Sequence, residues 1–289
     1  FNKAMDEIER MGITKILLDL RDNSGGFVDE AVAVARRLIP EGLITSLDFK
    51  SERLSDKDYY SELKESPWLI AVLVNEKTAS AAEILAGAIQ DAGKGVLIGQ
   101  KTYGKGVVQN MFYVLTPEAY AKYSRQYGAR YISEIEWLVY RGIFLSPDEI
   151  LGTIKITTGH YLTRNGREIH GVGLMPNVEA ANRTLPNGID LMLVSGLTND
   201  GTLTLNDYGD SVYQAERILR AAGYFEGIPD KRLDEETREA IKKFQSANNI
   251  PVSGNIDAIT RDGLNGLLDT LRTQNDPQYV KGMEILKLF

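Results

Sequence analysis

The stretch Leu69–Gly93, "LIAVLVNEKTASAAEILAGAIQDAG", decides the reading of this sequence. Its first seven residues, LIAVLVN, are a continuous apolar run of the kind found in buried parallel strands. EKTA then turns the chain, and SAAEILAGAIQDAG (80–93) reads as a helix. The same unit recurs upstream. KILLDL (15–20) is a second buried strand, RDNSGG turns, and VDEAVAVARRLIP (28–40) is a helix ended near Pro40. Downstream, VLIGQ (96–100) supplies a third strand, and residues 1–11 read as a further helix. Strands alternating with helices over short connections argue an α/β sheet.

The chain has 289 residues, 43% of them apolar, which is enough for one large domain or two unequal ones. A net charge of −7 argues against a nucleic-acid binder, whose phosphate contacts need a basic face. No apolar run approaches the ~18 residues of a membrane span. Cysteine is absent, so disulfides and thiolate metal sites are excluded. No signal peptide is visible and the first residue is Phe1, so a fragment starting inside a domain is expected, with any export address upstream.

After Gln109 the character changes. Tyr113, Tyr120, Tyr123, Tyr127, Tyr131, Trp137, Tyr140 and Phe144 make residues 113–150 aromatic-rich, and strand-like alternation returns in GTIKITTGHYLT (152–163). Residues 185–207, rich in Asn, Gly, Thr and Asp, read as a linker. Beyond them, 211–225, 234–249 and 257–271 read as amphipathic helices, with a last helix after DPQ. The expected organisation is a small all-α module behind an α/β domain.

Three segments could carry chemistry. Ser80 opens a helix with Glu83 three residues on, which is a capping box, S-x-x-E. A serine at a strand-to-helix turn also faces solvent at the carboxyl end of a parallel sheet, where α/β proteins keep their sites. A serine hydroxyl needs a base. The two histidines, His160 and His170, stand without a triad-like context, and there is no G-x-S-x-G elbow. A lysine serves if burial and the lack of a close carboxylate hold it neutral.

Lys105 lies between Gly104 and Gly106, so the backbone there can pack tightly. In a strand, positions 105, 107 and 109 share one face, so the Gln109 amide could hold the amine without charging it. DLRDNSGG (19–26) is the third segment. Its paired glycines could present Gly25 or Gly26 N–H, together with that of Ala81, to an oxyanion. Each segment has a plainer reading: a cap, a solvated lysine in a turn, and a turn opening the next helix.

The order LLDLRDNSGG, then VLVNEKTASAAEILAGAIQD, then IGQKTYGKGVVQ resembles the carboxyl-terminal processing proteases, tail-specific serine peptidases with a Ser-Lys dyad. The serine of T-A-S-A-x-E falls on Ser80, the lysine of T-x-G-K-G on Lys105, and the glutamine of G-K-G-x-V-Q on Gln109. TTGHYLTRNGREIHGVGLMPNVE (157–179) is similar to the family's strand pair ending in G-x-x-P-x-V. The resemblance spans about 1–112 and 152–180. It lacks the upstream PDZ domain and early fold of the family, and 113–150 stands as an insertion, read as a lid or partner surface or as a self-packed subdomain.

Residues 205–271 resemble the peptidoglycan-binding domains of wall enzymes, through G-D-S, L-x-x-x-G-Y, A-I-x-x-F-Q and P-V-S-G-x-I-D. IPDKRLDEET replaces their usual D-G-x-F-G.

The expected architecture is therefore a crotonase-like, tail-protease α/β core at 1–200. A peptidoglycan-binding-like helical domain follows at 201–272, and a C-terminal helix at 273–289. The resemblance implies a serine endopeptidase in which Ser80 attacks, Lys105 is the base, Gln109 orients it, and Gly25, Gly26 and Ala81 form the oxyanion hole. No metal or organic cofactor is implied. The implied partners are exported proteins with apolar, unstructured C-termini, peptidoglycan through 201–272, and further copies of the chain in a homo-oligomer. The implied location is extracytoplasmic, at the cell wall or membrane. Two rival readings are a non-catalytic wall scaffold with a retained peptidase fold and a nucleotide binder using G-x-x-x-x-G-K (99–105). In the second, Gly106 stands where a magnesium-holding Ser or Thr is required.

Overall fold

The computed structural model describes residues 1–50, 55–128, 132–198 and 201–288, so Tyr131 and residues 199–200 of the 185–207 stretch lie outside the described residues. The chain divides into two compact units, Phe1–Val178 and Glu179–Phe289.

The first unit opens with α1 (Asn2–Arg10), β1 (Lys15–Asp19), α2 (Val28–Leu38), β2 (Gly42–Phe49) and β3 (Lys57–Ser61). It continues through β4 (Leu69–Val74), α3 (Ala81–Asp91), β5 (Gly95–Gly99) and β6 (Val107–Leu115), then α4 (Pro117–Tyr127), α5 (Ile135–Tyr140) and β7 (Ile150–Thr163). The short β8 (Val178–Glu179) ends it.

One sheet has the order β1-β4-β5-β8. Its first three strands run parallel, with Lys15–Asp19 opposite Leu69–Leu73 and Ile70–Val74 opposite Gly95–Gly99. Because they run parallel and in step, the loops after β1, β4 and β5 all leave from one edge, the usual place for a site in such sheets. The second sheet, β3-β2-β7-β6, is antiparallel. β2 and β3 are not among the strands expected from the sequence, since their few alternating apolar residues give little periodic signal.

The main core joins Val32, Ala35 and Leu38 of α2 to Ile70, Val72 and Val74 of β4, Ile84, Ala88 and Ile89 of α3, and Tyr161 of β7. Residues Ala81–Ile89 of α3 are buried throughout. But for Glu83 this stretch is apolar on every side, and such a helix must sit inside a core, which fixes its first residue beside the sheet edge.

Residues 113–115 are the end of β6, so the inserted piece begins at Thr116 instead of 113. It has its own small core of Leu115, Ala119, Tyr123 and Ile132, with Ile143, Leu145 and Ile150 against it. Tyr140 and Phe144 are exposed.

The second unit holds α6 (Asp210–Ala221), α7 (Glu235–Ala247), α8 (Ala258–Asn275) and α9 (Pro277–Leu288). Val212, Ile218, Leu219, Ile241, Phe244, Leu264 and Leu268 form its core. The stretch expected as a linker sends Leu191, Val194 and Leu197 into that core. For this reason the division falls at 178/179, and not at 200/201. Nor does α9 stand apart: Gln278 is fully buried and its Nε2 donates to Asn182 Oδ1 at 3.0 Å. Where D-G-x-F-G is usual, the buried Glu216 carboxylate organises IPDKRLDEET instead. It accepts from the N–H groups of Asp230 (2.8 Å) and Lys231 (3.2 Å) and from the Thr237 hydroxyl (2.7 Å).

Candidate active site

Ser80 sits between β4 and α3 with φ 58° and ψ −125°, a left-handed backbone uncommon for a residue with a Cβ. Such a conformation costs on the order of 1–3 kcal/mol and persists only where the surroundings impose it. The shape is a strand-to-helix elbow, made here without G-x-S-x-G.

The expected capping box is present, with the Glu83 carboxylate accepting from Ser80 N–H at 2.9 Å. The Ser80 carbonyl also accepts from the N–H groups of Glu83 (2.8 Å) and Ile84 (3.1 Å). Ser80 lines a cavity of about 420 Å³ together with Lys105, Gln109 and Tyr161.

Glu83 is the residue whose role local sequence reasoning understates. Its side chain is wholly buried. One carboxylate oxygen accepts from Ser80 N–H at 2.9 Å and Lys105 N–H at 2.8 Å, and the other from Gly104 N–H at 2.8 Å and the Thr102 hydroxyl at 2.5 Å. One buried carboxylate thus ties the serine elbow to the lysine loop. The absence of a close carboxylate, expected above, does not hold. Glu83 meets the lysine's backbone, however, with both oxygens engaged, and no ion pair of the described residues includes Lys105.

The glycines around Lys105 work through close approach. A Cβ on Gly104 would stand 2.8 Å from Gly173 N, and one on Gly106 would stand 2.6 Å from His170 N. Lys105 precedes β6, and a register shift separates Val108 from Gln109, so strand alternation does not govern 105, 107 and 109. Gln109 reaches the same cavity by a different route. Its Nε2 is 3.5 Å from Thr157 Oγ1, and its Oε1 is buried without a partner. No helix follows Gly104-Lys105, so the phosphate-loop geometry is missing.

The glycine loop after β1 is tied to the elbow by several bonds. Asp22 N–H donates to Asn75 Oδ1 (3.0 Å), Asn75 Nδ2 to Asp22 Oδ1 (3.1 Å), the Thr78 hydroxyl to the Leu20 carbonyl (2.8 Å), and Ala79 N–H to the Asn23 carbonyl (2.9 Å). Gly25 has φ 97°, and a Cβ there would lie 2.8 Å from Ser80 Cβ and 2.9 Å from Ala81 N. Its N–H is held by Asn23 Oδ1 at 2.9 Å. Of the other two expected donors, Gly26 follows in the same loop and Ala81 is the first residue of α3.

Tyr161 closes the site from β7 and was not among the expected residues. It is 2% exposed, and its hydroxyl donates to the Lys105 carbonyl. Burial, then the nearby Glu83 charge, pushes its phenol well above the ordinary value, with the Ser80 contact opposing them. The two histidine rings lie together, with centres 5.7 Å apart, and neither lines the cavity of Ser80 and Lys105.

The model of peptidase family S41 matches residues 1–180. The chain belongs to peptidase family S41. Residues 208–264 match a peptidoglycan binding domain. The S41 chain is 30% identical over 285 residues to the carboxy-terminal processing protease CtpA of Bacillus subtilis, covering 98% of this chain and 52% of that protein. It is 30% identical over 286 residues to a CtpA-like serine protease of Staphylococcus aureus, covering 98% and 50%. The chain therefore spans about half the length of the curated relatives it matches. Among solved structures, the photosystem II D1 C-terminal processing protease is similar at 26% identity and a TM-score of 0.45, over 62% of this chain and 38% of that one.

Proposed function

We propose that this S41 chain carries the catalytic residues of a serine endopeptidase working by a Ser-Lys dyad. The observation that carries the reading is the shared anchorage of Ser80 and Lys105. A strained serine elbow and a lysine loop line one cavity and hang from the same buried carboxylate.

Ser80 Oγ attacks the scissile carbonyl carbon while Lys105 Nζ, as the free amine, takes its proton. The N–H groups of Gly26 and Ala81 stabilise the oxyanion. The proton passes to the leaving amine as the peptide C–N bond breaks, and Ser80 holds the acyl group as an ester. Water, deprotonated by the same amine, then hydrolyses the ester and restores the hydroxyl. The unpartnered Gln109 Oε1 is the acceptor available in this cavity to orient the lysine.

Exported proteins with apolar, unstructured C-termini are the substrates this reading implies. Glu179–Phe289 directs the enzyme to peptidoglycan outside the cytoplasm, and the working enzyme is a homo-oligomer. Support for the wall connection is the peptidoglycan binding domain match at 208–264.

The test is hydrolysis of an unstructured peptide with an apolar C-terminus by wild-type protein and by Ser80→Ala and Lys105→Ala. Both variants are expected to lose at least about 10³-fold in kcat while keeping the wild-type melting temperature. Turnover that is absent in the wild type, or equal in all three, refutes the dyad and favours the scaffold.

A further inference from the structure

Both backbone groups of Lys105 are pinned, from opposite sides. Its N–H donates to the Glu83 carboxylate at 2.8 Å, and its carbonyl accepts from the Tyr161 hydroxyl. Tyr161 holds the next residue as well, since its own N–H donates to the Gly106 carbonyl at 3.1 Å. One residue of β7 thus grips two successive carbonyls of the lysine loop, one through its backbone and one through its side chain.

Tyr161 also lines the same cavity as Ser80, Lys105 and Gln109. The ring itself is immobilised. Tyr161 is 2% exposed, lies opposite Leu47 of β2 and belongs to the main core. A hydroxyl delivered by a packed aromatic ring on a central strand is a fixed point to which the lysine loop can be referenced.

We infer that Tyr161 is a positioning residue for the proposed hydrolysis: its buried hydroxyl fixes the lysine loop, and with it the base, in the cavity shared with Ser80 before substrate arrives. This rests on the Ser-Lys reading above. Tyr161 takes no proton in the reaction; it determines where the base starts from. Positioning of this kind lowers kcat when lost and leaves ground-state binding nearly unchanged.

Tyr161→Phe keeps the ring and removes only the hydroxyl. The experiment compares wild type, Tyr161→Phe and Ser80→Ala by peptide turnover, by the rate of Ser80 labelling with a fluorophosphonate, and by thermal melting. For Tyr161→Phe, kcat and the labelling rate are each expected to fall about tenfold or more, with KM within about twofold of wild type. The melting temperature should stay close to the wild-type value. A Tyr161→Phe protein that turns over and labels at the wild-type rate overturns the inference. So does one whose losses track a falling melting temperature and are recovered by cooling, because the hydroxyl is then only a stabilising contact. If the wild type neither turns over peptide nor labels, and Ser80→Ala matches it, the Ser-Lys reading itself fails and the inference falls with it.

Discussion

At the scale of single residues, the site depends on close approach and on one saturated carboxylate. Gly25→Ala places a methyl 2.7 Å from the Ala79 carbonyl at a φ of 97°, so either the glycine loop or the serine elbow must shift. The expected result is at least about 100-fold lower kcat/KM, measured on peptide, with about 1–3 kcal/mol lost in denaturant unfolding. Glu83→Ala leaves three N–H groups and the Thr102 hydroxyl without their acceptor, and about 3 kcal/mol of stability should go with them. Chemical denaturation checks this. Ser80 and Lys105 stand out in the sequence because both lie in loops after buried strands, where α/β proteins keep their sites. The organising part of Glu83 is not, since a capping box accounts for that glutamate locally and its other three partners come from a segment about twenty residues away. Tyr161 is hidden for a similar reason: a tyrosine in an alternating strand needs no explanation beyond packing.

At the scale of elements, apolar runs reveal β1, β4, β5 and α3, most plainly β4, buried from Ile70 to Val74, and α3, apolar on nearly every side but for Glu83. The register shift at Val108/Gln109 leaves no mark, since a bulge is made by backbone pairing and not by composition. Within the inserted piece, Glu149 accepts from Lys122 Nζ (2.7 Å), the Tyr123 hydroxyl (2.9 Å) and Ser146 N–H (3.0 Å). Those bonds, Lys122 foremost, bring its carboxyl down to about 2. A depressed carboxylate supports the folded form above its unfolded value of ~4.3, and that support is lost as pH falls through about 2. Titration followed by carboxyl NMR should therefore place the Glu149 midpoint near 2. Glu149→Gln should loosen the α4–α5 piece at pH 7, seen as faster limited proteolysis there, and make little difference to its stability below pH 2.

At the scale of the whole molecule, each unit carries its own apolar core. Phe244→Ala, at a site 1% exposed, is expected to destabilise the helical unit by about 3–5 kcal/mol. Peptide turnover by the first unit should be unaffected, and calorimetry alongside the peptide assay separates the two effects. Composition suggests a linker at 185–207 because Asn, Gly and Thr dominate it, whereas a few apolar side chains decide where it packs. The anchorage at Glu83 has a dynamic consequence. Amides of Ser80, Gly104 and Lys105 all end on one side chain, so none can reach solvent by a private fluctuation. In deuterium exchange the three should share a single protection factor and collapse together, as one opening event that dismantles the serine elbow and the lysine loop at once.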